Sequence, residues 1–150
     1  MRQEEFVASR GKGCQVNGRR VRTSTRPSLD GALVSTGGNE RGFAAEQATI
    51  YQVLLEEGAI MRQAGSAALD LAWVAAGRLD AMWMSELKIW DIAAGALMVQ
   101  ETGGLLGEFD GGTQYLKSGN IIAASPKCFR SLAPIIKRQL GQTVITTPAE

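Results

Sequence analysis

The chain has 150 residues, a net charge of +1 at pH 7 and a hydrophobic fraction of 45%, and it contains no histidine. This length and composition exclude a disordered chain and predict one domain with a sizeable core. The small net charge indicates no general attraction to nucleic acid or membrane. The lack of histidine excludes a Ser-His-Asp triad, a Cys-His pair and a His-ligated zinc site, which leaves carboxylates, hydroxyls, Lys/Arg and hard metals for any catalysis.

Charged residues are distributed unevenly along the chain. The net charge is +4 over residues 1–30, −7 over residues 31–110 and +4 over residues 111–150. The acidic middle is either a solvated face or the location of a cation site. Cys14 and Cys128 lack metal-ligand spacing, which indicates two inert thiols in a reducing, cytoplasmic environment. The apolar runs are too short or too broken by glycine to cross a bilayer.

The first thirty residues predict a small β unit followed by a linker. Residues 5–22 are typical of a hairpin, because short extended runs surround residues 11–13 and Asn17-Gly18 is a strong tight-turn pair. The polar segment 23–31 is rich in turn residues and predicts a subdomain boundary. The chain enters strand-like sequence within its first six residues, which suggests a truncated chain that starts in the middle of a sheet.

Strands and helices alternate through the rest of the chain. Strands are predicted over residues 32–36, 59–61, 79–84, 105–109 and 120–124, and helices over residues 43–57, 66–76, 90–102 and 127–139. The helices at 66–76 and 90–102 are apolar nearly all round, which predicts burial between a sheet and other helices. The alternation predicts an α/β layered domain over residues 31–150, with residues 1–30 as a separate hairpin and linker.

The sequence Trp90-Asp91-Ile92-Ala93-Ala94-Gly95 opens the second of these apolar helices. An acid in the first turn of a helix is stabilised by the helix dipole and caps free N–H groups, which is one interpretation of Asp91. The other interpretation is that its carboxylate faces the crevice beyond the strand ends, where open α/β sheets bind ligands. There it would hold a divalent cation, and the small residues after it would give room for close approach.

Two further segments allow a structural and a functional interpretation. Gly65-Ser66-Ala67-Ala68 starts a helix, and its free N–H groups suit a hydroxyl or an anion. The alternative is that Ser66 is a helix cap and the alanines only pack. Gly37-Gly38 follows a strand and either permits close approach to a ligand or forms a plain turn.

Several ordered motifs resemble the C-terminal half of inositol monophosphatases, most closely those of the bacterial extragenic-suppressor branch. They are residues 65–70 (Gly-Ser-Ala-Ala-Leu-Asp), 74–80 (Val-Ala-Ala-Gly-Arg-Leu-Asp), 90–95 (Trp-Asp-Ile-Ala-Ala-Gly) and 101–104 (Glu-Thr-Gly-Gly). Residues 10–21 resemble the hairpin where the first subdomain of that family ends, and residues 118–124 resemble its last core strand. The resemblance implies the sheet-and-helix C-terminal lobe of the inositol monophosphatase and sugar phosphatase fold.

This resemblance also implies a function and a set of site residues. It implies a Mg²⁺-dependent phosphomonoesterase that hydrolyses inositol monophosphate, a small phosphate ester, by a metal-activated water. It implies that Asp91 is a metal ligand near the substrate hydroxyls. The residues that it places around the substrate are Gly65, Ser66, Ala67, Gly37 and Gly38. Homodimers are common in the family, which implies a homo-oligomer here.

The sequence departs from the family pattern at two points. A Glu and an Asp-Pro-Leu-Asp-Gly-Thr motif supply most metal ligands in the family's first lobe. The motif has no counterpart here, and residues 1–30 correspond only to a remnant hairpin of that lobe and a linker. We therefore expect little or no turnover from this chain alone, because one carboxylate does not hold Mg²⁺. Seven positions before Asp91, where the family often has Glu, stands Met84, whose thioether accepts hydrogen bonds only weakly.

These departures leave two alternatives. The first is a phosphatase for a different sugar phosphate, because Met84 does not offer sugar hydroxyls the carboxylate that they meet in the family. The second is a non-catalytic module that pairs with a full-length homologue or with another protein, since loss of one lobe would uncover apolar surface.

Overall fold

In the computed structural model, which describes residues 3–37 and 43–141, the first part of the chain forms an antiparallel sheet that we call the small sheet. Its strands, paired in chain order, are β1 (Phe6–Ser9), β2 (Gly13–Val16) and β3 (Arg19–Arg20). Asn17 and Gly18 have φ of 49° and 76°, as a type I′ turn between antiparallel strands requires. The predicted hairpin is confirmed, and its turn leads into a short third strand.

The second sheet has five strands and carries the core of the molecule. They are β4 (Leu33–Gly37), β5 (Ile60–Arg62), β6 (Ala81–Met84), β7 (Leu105–Gly107) and β8 (Ile121–Ala124), in the spatial order β5-β4-β6-β8-β7. β4 is parallel to β5 and β6, whereas β8 is antiparallel to both β6 and β7. Because β4, β5, β6 and β7 therefore share one direction, their carboxyl ends lie along one edge of the sheet, which we call the carboxyl edge.

Helices cover both faces of the five-stranded sheet. They are α1 (Ala44–Glu56), α2 (Ala67–Ala75), α3 (Ile89–Glu101), α4 (Tyr115–Ser118) and α5 (Pro126–Leu140). One apolar cluster joins α1 and α5 to one face, and a second cluster joins α2 and α3 to the other. α3 also contacts β1 and β2, so it lies between the two sheets. This arrangement confirms the predicted α/β layered architecture.

β6 shows how the sequence specifies both clusters. Successive side chains of a strand point to opposite faces. Ala81 and Trp83 accordingly belong to the cluster beneath α1 and α5, and Met82 and Met84 to the cluster beneath α2 and α3. All four residues are buried, which explains why this strand is apolar throughout instead of alternating with polar residues.

The structure corrects the expectation that α2 and α3 are buried all round. Ile89 and Trp90 at the start of α3 are 52% and 76% exposed, and Leu69 of α2 is 39% exposed. α3 packs only through a stripe that includes Ile92 and Val99. An apolar helix surface thus remains open at the carboxyl edge, because no described element covers it.

Smaller differences concern the end of the chain. β7 stops at Gly107 instead of 109, since the Glu108 N–H donates to the Gly112 carbonyl and starts a turn. The single turn α4 was not predicted, and α5 runs unbroken through Pro134 to Leu140. None of the described helices combines the length and apolar composition needed to cross a membrane.

Candidate functional site

Two helix N-termini come together at the carboxyl edge. α2 follows β5 and α3 follows β6, and both strands end at that edge. The two helices then run side by side, and they touch where Gly95 of α3 faces Leu71 of α2. A Cβ placed on Gly95 would lie 2.7 Å from Cδ1 of Leu71 and closer still to its Cβ. Only glycine permits this close approach.

The contact between α2 and α3 determines how far along the two helix axes the predicted site residues Ala67 and Asp91 lie. Residues four apart on a helix lie on the same face, one turn from each other. Ala67 precedes Leu71 by four residues, and Asp91 precedes Gly95 by four. Since the helices run in the same direction, Ala67 and Asp91 stand at matching heights, one turn nearer to the carboxyl edge than the Leu71–Gly95 contact.

Asp91 combines a capping bond with partial exposure. It is the third residue of α3, and its Oδ2 accepts a hydrogen bond of 3.0 Å from the backbone N–H of Lys88. The capping interpretation is therefore correct for one oxygen. No described residue donates to Oδ1, and the side chain is half-buried instead of enclosed in the core. Among the described residues, the second oxygen is thus not engaged by the protein.

Ser66 also acts as a cap. It has extended backbone, and its Oγ accepts a hydrogen bond of 3.3 Å from the Leu69 N–H. Its own O–H proton is not used in that bond and can be donated elsewhere. Gly65 has φ of 80°, in the left-handed region, and no atom of the described residues lies within 4 Å of the position of a Cβ there. Ala67, next along, is buried.

Gly37 and Met84 lie side by side at the ends of β4 and β6, where they are register partners. The Met84 side chain is 2% exposed, and its Cε lies 3.4 Å from the position of a Cβ on Gly37. Met84 therefore fills the space beside Gly37 and belongs to the core cluster under α2 and α3. Gly38, which the sequence also places in the site, lies outside the described residues.

A buried carboxyl group close to this edge was not singled out from the sequence. Asp70, in the first turn of α2, is fully buried, and its Oδ2 accepts a hydrogen bond of 2.7 Å from Oγ of Ser35 in β4. Burial raises the pKa of Asp70, and the Ser35 bond and the nearby Arg62 offset part of that rise. Oδ1 has no hydrogen-bond partner among the described residues. An acid within a helix that is otherwise apolar was the available indication in the sequence.

The described residues do not form a complete Mg²⁺ site. Mg²⁺ requires near-octahedral oxygen coordination and usually retains several waters beside one or two carboxylates and substrate phosphates. Within residues 3–37 and 43–141, no group of three or more Asp, Glu or Cys side chains is placed to hold a metal. Asp91 has one oxygen to which no described residue donates, whereas Asp70 is enclosed and bonded to Ser35. These residues by themselves do not fit the ion.

Sequence comparisons give the chain relatives of about twice its length. The profile of the inositol monophosphatase family matches residues 1–141. The Nus factor SuhB of Pseudomonas aeruginosa is 48% identical over 144 residues, which cover 93% of this chain and 53% of the relative. The Nus factor SuhB of Escherichia coli K12 is 42% identical over 146 residues, covering 96% and 55%. The chain thus spans about half the length of these curated relatives.

Solved structures share the fold. The extragenic suppressor protein SuhB of Bartonella henselae superposes with a TM-score of 0.81 at 37% identity, over 93% of this chain and 52% of that one. The inositol monophosphatase of Thermotoga maritima gives 0.81 at 30% identity, over 93% and 53%. An IMPase/NADP phosphatase complexed with NADP and Ca²⁺ gives 0.74 at 25% identity, over 88% and 50%. The chain belongs to the inositol monophosphatase family.

Proposed function

We propose that this chain supplies the substrate side of a phosphomonoesterase site, in the lineage that hydrolyses inositol monophosphate with Mg²⁺. The observation that carries the proposal is that Asp91 and the Ser66–Ala67 segment lie in the first turns of two helices that pack side by side. Family membership supports a phosphatase. The structural neighbour complexed with NADP and Ca²⁺ supports a divalent cation and a phosphate-bearing ligand.

The geometry suggests a division of roles. The Asp91 oxygen to which no described residue donates would be a metal ligand. The N-terminus of α2 carries a partial positive charge that suits an anionic ester, and the Ser66 O–H can donate to an ester or ring oxygen. No described atom lies within 4 Å of the position of a Cβ on Gly65, which leaves room for a sugar ring there, and Gly37 and Gly38 would form part of the wall.

The same geometry limits what the isolated chain can do. Because the described carboxylates do not fit Mg²⁺ by themselves, the other ligands would come from a companion lobe. We propose that the small sheet belongs to that lobe and that residues 31–150 form the substrate lobe. Without the companion, the chain would have little or no phosphatase turnover.

A chimera tests this proposal. The part of the P. aeruginosa relative that the match leaves uncovered is joined to this chain, and phosphate release from myo-inositol 1-phosphate is followed with and without Mg²⁺. We expect Mg²⁺-dependent turnover from the chimera and none from the isolated chain. The Asp91→Asn variant of the chimera should turn over at least a hundredfold more slowly, as loss of a transition-state contact of about 3 kcal/mol predicts. Ordinary turnover by the isolated chain, or a chimera indifferent to Asp91→Asn, would contradict the proposal.

A different sugar phosphate is the second candidate substrate, and Met84 favours it. The thioether is packed against Gly37 and presents no strong acceptor to a hydroxyl. The chimera's kcat/KM for inositol 1-phosphate, compared with that for other sugar phosphates, decides between the two. A clear preference for inositol 1-phosphate would remove position 84 as a determinant of substrate choice.

A non-catalytic pairing module is the second candidate function, and the exposed Ile89 and Trp90 favour it. The relatives named Nus factors are compatible with a role other than hydrolysis. Under this candidate, we expect light scattering after size exclusion to show a homodimer or a complex with a full-length homologue, weakened by Trp90→Ser. A stable monomer that forms no such complex would remove the motive for this candidate.

A further inference from the structure

Glu101 stands at a position that the helix dipole disfavours. It is the last residue of α3, where the partial charge of the helix is negative, and no basic residue lies in that turn. Its two oxygens are nevertheless fully engaged by the small sheet. Oε1 accepts a hydrogen bond of 2.7 Å from the Gly11 N–H, and Oε2 accepts one of 2.8 Å from the Gly13 N–H. The backbone of a distant hairpin thus stabilises this carboxylate.

The turn between β1 and β2 is shaped to receive an anion. Gly11 and Gly13 have φ of 75° and 82°, in the left-handed region that favours glycine. Such a backbone lets successive N–H groups converge, which creates a concave anion site. The pKa of Glu101 lies below its usual value. The hydrogen bond from Gly11 lowers it most, followed by the one from Gly13, and Arg10 and the Lys12 N–H make smaller contributions.

A second polar contact joins the small sheet to the end of α2. Arg78 follows that helix, and its Nη1 and Nη2 donate to the two oxygens of Glu4 at 2.8 and 2.7 Å. The same guanidinium lies 5.6 Å from the ring centre of Phe6 in β1. Paired bonds between planar groups fix direction as well as distance. Both contacts lie at the C-terminal ends of α2 and α3, opposite the candidate site.

The apolar cores do not explain how the small sheet is held. Neither of the two large apolar clusters contains any residue from the described segment 3–22. Cys14 and Val16 are buried, but they lie outside both clusters. The Glu101 and Arg78 contacts are directional, whereas apolar contact is not. They are therefore suited to determine the orientation of the sheet.

We infer that Glu101 and Arg78 are positioning residues that set the small sheet at a defined orientation relative to Asp91. α3 carries both Asp91 and Glu101, since Asp91 lies in its first turn and Glu101 ends it ten residues later, about 15 Å along the axis. The inference rests on the proposed function in one respect. If the companion lobe is continuous with the small sheet, these contacts place its metal ligands relative to Asp91.

Nuclear magnetic resonance on the 150-residue chain, without metal or substrate, tests the inference. The test variant is Glu101→Gln. The matched control is Glu57→Gln, because Glu57 likewise stands at the C-terminal end of a helix, directly after α1, but has no side-chain partner among the described residues. A glutamine offers one acceptor oxygen where the carboxylate offered two. We expect amide exchange at Gly11 and Gly13 to accelerate about tenfold in Glu101→Gln, as loss of a charged hydrogen bond predicts, and to stay unchanged in Glu57→Gln.

Residual dipolar couplings distinguish positioning from a merely local bond. In the wild type, one alignment tensor should fit both the small sheet and the α2–α3 pair. In Glu101→Gln and in Arg78→Gln, each unit should still fit its own structure while a common tensor fails. A common tensor that fits both units in both variants overturns the inference. The measurement uses no turnover, so failure of the phosphatase proposal would not change it.

A titration of the wild type keeps the inference testable if a variant fails to fold. The amide proton shifts of Gly11 and Gly13 should follow the protonation of Glu101, with a midpoint below the usual glutamate value of about 4.3. Shifts at these two glycines that titrate with a midpoint at or above the usual glutamate value would overturn the inference.

Discussion

Replacing Gly95 by alanine is the most direct test of the helix pairing that places Asp91. On an isolated helix this substitution stabilises by about 1 kcal/mol, because glycine loses more backbone freedom on folding. In this protein the added Cβ would meet Leu71 at 2.7 Å from Cδ1 and closer still to Cβ. A Cβ cannot rotate away from its own backbone, so α2 and α3 would have to separate.

The two effects have opposite signs, which makes the outcome informative. Overpacking in a dense core costs about 1–3 kcal/mol, and a clash with a Cβ belongs at the upper end of that range. After the helix propensity offsets about 1 kcal/mol, we expect Gly95→Ala to lower the free energy of unfolding by about 2 kcal/mol. For a chain of this size, that loss corresponds to about 4–8 °C in Tm.

Urea denaturation followed by circular dichroism measures this change. Ala94→Gly in the same helix is the matched control, because Ala94 is exposed and its replacement should cost only the propensity term of about 1 kcal/mol. Leu71→Ala should not rescue Gly95→Ala, since alanine keeps the offending Cβ. If Gly95→Ala instead stabilises the protein by about 1 kcal/mol, the helices do not approach as described and the placement of Asp91 beside Ala67 loses its basis.

Two further predictions concern buried groups at the carboxyl edge. Met84→Glu should lower the free energy of unfolding by about 2 kcal/mol or more at pH 7, because the new carboxylate would be packed against Gly37. Urea titrations should show a smaller loss of stability at pH 5. An equal loss at pH 5 and pH 7 would contradict a buried site. The pKa of Asp70 is raised in the folded state, so its contribution to stability is present at low pH and declines as pH rises above the unfolded value. Tm measured from pH 3 to pH 7 should therefore fall for the wild type relative to Asp70→Asn, and parallel curves would refute this.

The order of the elements could be predicted from the sequence because it depends on local patterns. Asn17-Gly18 between extended runs predicts a tight turn. The apolar runs predicted a strand at 79–84 and a helix at 90–102, which the structure places at 81–84 and 89–101. Exposure could not be predicted this way. The apolar composition of α3 predicted full burial, yet Trp90 is open, because burial depends on which other elements are present to cover a face.

The candidate site was predictable as a set of residues but not as an arrangement. Asp91 and Ser66 were recognised from motifs, and their capping bonds follow from local helix rules. The contact that aligns them, Leu71 against Gly95, joins two helices and has no local signature. The Glu101 contact spans ninety residues of sequence. The motif at residues 101–104 included Glu101, but only a carboxylate at a helix end, where the dipole disfavours it, indicated that this side chain needs a partner.

These observations give α3 three separate constraints along one rigid element. Its first turn offers a carboxylate oxygen at the carboxyl edge, its middle requires glycine for contact with α2, and its last residue holds the small sheet. A helix transmits a displacement along its axis because its backbone bonds are internal. A change at Gly95 should therefore alter both the position of Asp91 relative to α2 and the position of the small sheet. A change at Glu101 should move the small sheet and leave the Leu71–Gly95 contact intact. That asymmetry follows from the fold alone and does not depend on which phosphate ester, if any, the complete site takes.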